Sequence, residues 1–263
     1  MIRLLRVMRY AAVTGTVDYL SIYTWRSWLG GWFVRVLAQV TFFALIGRLL
    51  GTDQQVWFLL VGNAVMLAAM EGVFALNMVN WERNSGTLAL IAASPTNPVV
   101  VLSSRGVYLV ADGTVSALGA FLVLGPLFHL PVPWPSALLI VPLTVLIGLT
   151  AYGFGTFLGG LVIGYRNLNS IVVNVGIVVL MALCGVNVPL NVYPGPVVWV
   201  SHVLPVTNGL VAVRDVLAGH LGAAGLHALA EAGVAAGWFT LCVLTFERFV
   251  QRGRRTGSLE FAT

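Results

Sequence analysis

Four ionisable side chains fall inside long apolar runs: Arg35, Glu71, Asp112 and Glu231. At the centre of a bilayer each costs about 2.5 to 3.5 kcal/mol unless it is paired or wetted. Counting about 1.5 Å per residue from the ends of their segments puts Arg35, Glu71 and Asp112 each roughly 9 to 12 Å deep, so an Arg–carboxylate cluster is geometrically open. Such a cluster has two uses, as a latch near one mouth of a helical bundle or as a fixed pair that satisfies polar groups. Glu231 and His227 fall near the start of the last apolar run, its outer end, where headgroup water is expected to solvate them.

Other chemistry has little support. All fourteen basic residues are Arg, so the chain holds neither a Schiff-base lysine nor the G-x-x-x-x-G-K-[ST] loop that cradles nucleotide phosphates. His129, His202 and His220 lack a metal-ligand spacing. Ser103, Ser104, Ser201 and Thr207 have no nucleophile-elbow context or base at a telling distance. Cys184 and Cys242 lie in apolar stretches and read as small buried hydrophobes. A chain with no catalytic, metal or cofactor group of its own is the expectation.

The elements that must position these charges are membrane helices. Hydrophobic residues make up 59% of the 263 positions, charged residues 9%, and mean hydropathy is +0.93, too apolar for a chain that must cover itself with polar surface. Runs near twenty apolar residues predict six spans, at about 29–50, 56–79, 106–130, 136–163, 170–188 and 225–247. The predicted fold is an all-α polytopic membrane bundle forming one domain over residues 1–263. The net charge of +5 comes from Arg clusters flanking apolar runs, which suits a membrane flank and not nucleic acid. Arg3, Arg6, Arg9, Arg26, Arg83, Arg105, Arg166 and the Arg248–Arg255 cluster all fall to one side of that topology, against Arg48 and Arg214 on the other. Both termini of this multi-pass cell-membrane protein are therefore expected in the cytoplasm, with 248–263 as a tail. No apolar core of about 7 to 15 residues with a small-residue cleavage site follows Arg3, Arg6 and Arg9, so the N-terminus is expected to be retained. Residues 1–28 form a tail and, from Val17 to Trp28, an aromatic segment read as a short interfacial helix in preference to a plain aromatic belt.

Two segments break the span pattern. Between the second and third spans, residues 81–95 open with Trp81, Glu82 and Arg83, continue apolar through Leu88, Leu90 and Ile91, and stop at Ser94-Pro95, where proline ends a helix. A short cytoplasmic helix here would anchor on the bundle and offer its polar end to a soluble partner. Between the fifth and sixth spans, Pro194 and Pro205 bracket an apolar stretch, which predicts two half-length helices that dip into the outer leaflet and return within 189–219.

These two segments resemble the ABC type-2 permease family, the membrane subunits of ABC exporters of the drug-resistance and antibiotic-exporter kind. The family pattern Glu-Arg-Glu-x-Gly-Thr-Leu followed by a Ser-Pro stop is matched by Glu82, Arg83, Gly86, Thr87, Leu88, Ser94 and Pro95, with Asn84 where a second Glu is usual. The later pattern of proline, aromatic, Asn-Pro-Leu, Leu-Arg and Gly is similar to Pro194, Trp199, Leu204-Pro205, Asn208, Arg214 and Gly219. The resemblance implies a coupling element at Trp81, Glu82, Arg83, Gly86, Thr87 and Leu88, and an outer gate at Pro194, Trp199, Pro205, Asn208 and Arg214. It further implies cytoplasmic ABC ATPase subunits that bind ATP and Mg on their own chains, and a second permease, identical or related.

The function so implied is export of an amphiphilic drug, peptide or lipid-like substrate, or of a lipid-linked polysaccharide, by alternating access or lateral extrusion. Inner faces of the first, second and fifth spans would line the route, with Phe42, Phe43, Met66, Met70, Asn77, Asn174 and Met181 as candidates against their ordinary use in packing. An ATP-independent transporter or a membrane-embedded enzyme is the competing class, and paired broken helices at mid-membrane would favour the former.

Overall fold

The computed structural model describes residues 2–87, 90–91, 94, 96, 98–162 and 168–256, and among these no strand occurs. Helix α1 (Ile2–Ile22) ends before Thr24, whose hydroxyl accepts the Ser27 N–H at 3.3 Å and caps α2 (Trp25–Leu49). The aromatic segment expected as a single helix from Val17 to Trp28 is thus divided, because a Thr N-cap outcompetes helix continuation. Its first part closes α1, while Trp25 and Trp28 open a spanning helix. Residues Trp28–Phe33 of α2 are wound as a π-turn around Gly30 and Gly31, an underwound stretch that re-aims the side chains it carries.

Helix α3 (Asp53–Asn77) is the centre of the bundle and is almost wholly buried. It is apolar on every face, as a helix with neighbours all round must be; α2, α6 (Tyr108–Leu127) and α7 (Ile140–Val162) pack directly on it. Close approach depends on small residues. A side chain at Gly155 of α7 would meet the Val73 carbonyl oxygen at 2.6 Å, and one at Gly113 of α6 would meet the Ala68 backbone at 2.9 Å. After α3 come the short α4 (Met78–Asn84) and α5 (Pro98–Arg105). Beyond α7 lie α8 (Asn169–Leu183), the pair α9 (Gly195–Val203) and α10 (Thr207–Leu217), and the long α11 (Leu221–Thr256), which packs on α7 and α10.

Five helical stretches are long and apolar enough to cross a bilayer: Trp25–Leu49, Asp53–Asn77, Val100–Leu127, Ser136–Val162 and Leu221–Thr245. They match five of the six expected spans to within a few residues. The fifth expected span, 170–188, is the 15-residue α8, about 22 Å long at 1.5 Å per residue and shorter than the ~30 Å hydrocarbon core. Part of the expected tail, 248–256, is a continuation of α11. Arg166 lies outside the described residues.

Candidate functional site

Polar side chains gather at the two ends of α3. At its first turns they hold the α9–α10 hairpin, whose helices meet at 90° across a short break, as the bracketing prolines predict. Pro194 caps α9, and Pro205 stands in the break, where its ring forbids a continuous helix. Val206 follows at φ +87°, a left-handed conformation that a β-branched residue adopts only when its surroundings impose it. The surroundings here include Glu231 of α11. Its carboxylate accepts the N–H of Val206 at 3.1 Å and of Gly209 at 3.0 Å, so both oxygens satisfy donors at the start of α10. Glu231 is fully buried. The expectation that headgroup water solvates it is corrected: the returning hairpin covers this turn of α11 and brings its own donors. His227, one turn earlier, pairs through Nδ1 with Asp215 at 2.7 Å.

The other members of the expected gate divide by burial. Asn208 is buried, donating to the His202 carbonyl at 2.9 Å and accepting from the His202 ring at 2.8 Å. Arg214 reaches from α10 to the Gly185 carbonyl at 2.9 Å and the Phe58 carbonyl at 3.1 Å, with its guanidinium 3.8 Å over the Phe58 ring. Beside it Asn63, buried in α3, donates to Asn187 at 2.9 Å. Trp199, by contrast, is 79% exposed and makes no hydrogen bond from its side chain among the described residues. Asn63 and Asn187 were missed in sequence; an Asn pair separated by 124 residues leaves no local signal.

At the far end of α3 the expected coupling element is built differently from a single helix over 81–95. Trp81 to Asn84 form the last turn of α4, which ends at Gly86 with φ +71°. The Thr87 N–H returns to the Glu82 carbonyl at 3.0 Å, the closing bond of a glycine-terminated helix. Glu82 does not face outward. It is 2% exposed, accepts the Thr87 hydroxyl, and takes Arg105 Nε at 2.6 Å. Arg105 in turn binds Asp18 of α1, while Trp81 stays 47% exposed on the outside of this brace. The Arg83 side chain, Leu88 and Pro95 lie outside the described residues.

Between α1, α2, α3 and α6 is a cavity of about 300 Å³ lined by Glu71, Asp112, Tyr19, Tyr108, Trp32 and Asn77, among others. Depth counting placed Arg35, Glu71 and Asp112 together, and the two carboxylates do share this cavity. Arg35 does not join them in an ion pair within 4.0 Å. Its guanidinium lies 4.8 Å over the Trp32 ring, one turn back on the same helix face, and the residue is exposed on the bundle. Asp112 instead accepts Trp28 Nε1 at 2.7 Å, aimed there by the π-turn, and hydrogen-bonds the Tyr19 hydroxyl. Tyr19 stacks on Tyr108 at 4.7 Å. Glu71, 5% exposed, has no hydrogen bond among the described residues. The aromatic partners Trp28, Tyr19 and Tyr108 were missed because a pattern of aromatics in lipid reads first as packing.

The candidate pathway residues scatter. Phe42 and Asn174 are exposed, and Phe43, Asn77 and Met181 are half-buried. Met66 and Met70 are buried in the core around α3 and line no surface of this chain, since every face of that helix is covered.

The sequence model described as ABC-2 type transporter matches residues 17–218, from the last part of α1 through α10. No curated protein matches the chain. The match takes in the cavity lining apart from Gly15, the capped turn at Gly86 and the bent pair α9–α10, and leaves out α11 with Glu231. This chain therefore belongs to the ABC-2 type transporter family and is the multi-pass membrane permease of an ABC transporter, not itself an ATPase.

Proposed function

We propose that the protein is the membrane half of an ATP-driven exporter that carries an amphiphilic drug, peptide or lipid-like molecule outward, with both termini in the cytoplasm. The observation that carries this reading is the brace at the end of α3. An exposed Trp81 sits on a helix end that is closed by Gly86 and tied through Glu82 and Arg105 to Asp18 of α1. A push on that turn is delivered to α1, α3 and α5 together, because the ion pairs leave it little freedom to yield on its own. Separate cytoplasmic ATPase subunits, holding ATP and Mg, would supply the push.

A second permease is supported by the outer face of α2. Arg35 and Phe42 are exposed there, and an Arg turned toward lipid is costly enough to call for a polar neighbour. Inner faces of α2 and α8 from two such chains would then border the route, with α3 buried behind them.

The test is ATP turnover of the chain reconstituted with the ATPase that copurifies with it. Added amphiphile should stimulate hydrolysis, and Trp81→Ala should lower that stimulation by about tenfold or more without lowering thermal stability, since the side chain is half-exposed. Transport by the permease alone, without ATP, would sink the reading.

A further inference from the structure

We infer that the cavity between α1, α2, α3 and α6 is a binding site for an organic ammonium group, the head of a lipid or of a free cationic solute. This goes beyond the export reading, because the site can be occupied whether or not its occupant is moved.

The charges around the cavity do not balance. Its lining carries four carboxylates, Asp18, Glu71, Glu82 and Asp112, against one guanidinium, Arg105. Arg105 is committed to Asp18 and Glu82. Asp112 has Trp28 and Tyr19. Glu71 is left, more than nine-tenths buried, facing the cavity with no hydrogen bond among the described residues. Arg35 is near enough for its charge to be felt at Glu71, but it forms no ion pair with it and its guanidinium lies 4.8 Å over the Trp32 ring. Ionised, a buried carboxyl without a donor is costly, and a cationic partner entering the cavity would offset that cost.

The walls decide which cation. The rings of Tyr19, Tyr108 and Trp32 border the same space, with Tyr19 also 5.0 Å from Tyr23. Aromatic rings lining the space beside a carboxyl suit a weakly hydrated, bulky cation such as trimethylammonium. A divalent metal would instead want several oxygen ligands, and no group of three His, Cys, Asp or Glu side chains suited to a metal occurs among the described residues. The mouth opens at the protein surface: Tyr23 and Trp81 line the cavity and are both partly exposed. Its volume of about 300 Å³ lies at the small end of ligand-binding cavities, with room for a head group.

Choline is the probe, titrated calorimetrically into the purified chain in phosphatidylglycerol nanodiscs, beside its neutral isostere in which a tert-butyl group replaces the trimethylammonium. Choline should bind at least about tenfold more tightly than the isostere, and Glu71→Gln should lose about as much. Trp32→Leu should weaken choline by about fivefold, and it carries the test with the isostere if the Glu71 variant does not fold. Equal binding of the two probes, no choline binding, or unchanged binding in Glu71→Gln would overturn the assignment. Adding phosphatidylcholine to the discs separates the sources: competition with choline assigns a lipid head group, and no competition assigns a free solute, both with an ammonium in the site. Since no ATPase is present, failure here leaves the export reading standing, and failure of amphiphile-stimulated ATP turnover leaves this site standing.

Discussion

Glu231 holds the N–H of Val206 at 3.1 Å, and Val206 stands at φ +87°, so a carboxylate on the last helix fixes the elbow of the hairpin in a conformation that its own residue disfavours. The second oxygen takes Gly209 N–H at 3.0 Å. Glu231→Ala leaves two buried donors unmet and should lower stability by about 3 kcal/mol. Glu231→Gln presents an NH₂ to one of those donors and should fall between. Thermal unfolding in detergent measures both.

The strain at Val206 makes an unusual ordering. Val206→Ala removes buried methyl groups yet keeps a Cβ in the left-handed region, costing about 1.5 kcal/mol in lost burial. Val206→Gly removes more burial but also releases about 1 to 2 kcal/mol of backbone strain. The glycine variant should therefore unfold no earlier than the alanine variant; a clearly lower midpoint for glycine would show that the elbow is unstrained.

Arg214 joins α10 to two carbonyls on other segments, Gly185 and Phe58. Lys cannot span both or stack on the Phe58 ring, so Arg214→Lys should cost about 1 to 2 kcal/mol. Limited proteolysis should then cut near the hairpin sooner than in the wild type.

The brace at the other end predicts unequal losses from one cluster. Arg105→Gln leaves Glu82 buried without its cation and should cost about 3 kcal/mol. Asp18→Asn should cost under about 1 kcal/mol, because its side chain is half-exposed at 51%. The double variant Glu82→Gln with Arg105→Gln should recover part of the single loss, read as a coupling energy in unfolding midpoints.

Gly155 tests the packing of α7 on α3. An added methyl would sit 2.6 Å from the Val73 carbonyl oxygen, and backbone is what it meets. Gly155→Ala should cost about 1 to 3 kcal/mol by forcing the helices apart. Gly30→Ala, where no atom lies within 4 Å, should be close to neutral in the same assay.

Hydropathy alone located five of the six expected spans, because a bilayer demands long apolar stretches whatever the packing. The prolines at 194 and 205 located the hairpin for a similarly local reason, since a ring without an N–H breaks a helix anywhere. Depth along a helix was also legible, so Glu71 and Asp112 do meet in one cavity. Rotation about the helix was not: each residue turns about 100°, and a π-turn inside α2 shifts that phase, leaving Arg35 on Trp32 and Trp28 on Asp112. Glu82 and Glu231 show the same limit more sharply. Their partners lie 23 residues away, at Arg105, and 25 and 22 residues away, at Val206 and Gly209. The sequence by itself determined that the chain lives in lipid and where it bends. Only the tertiary structure decided which buried charges are satisfied, because that depends on which faces of distant helices meet.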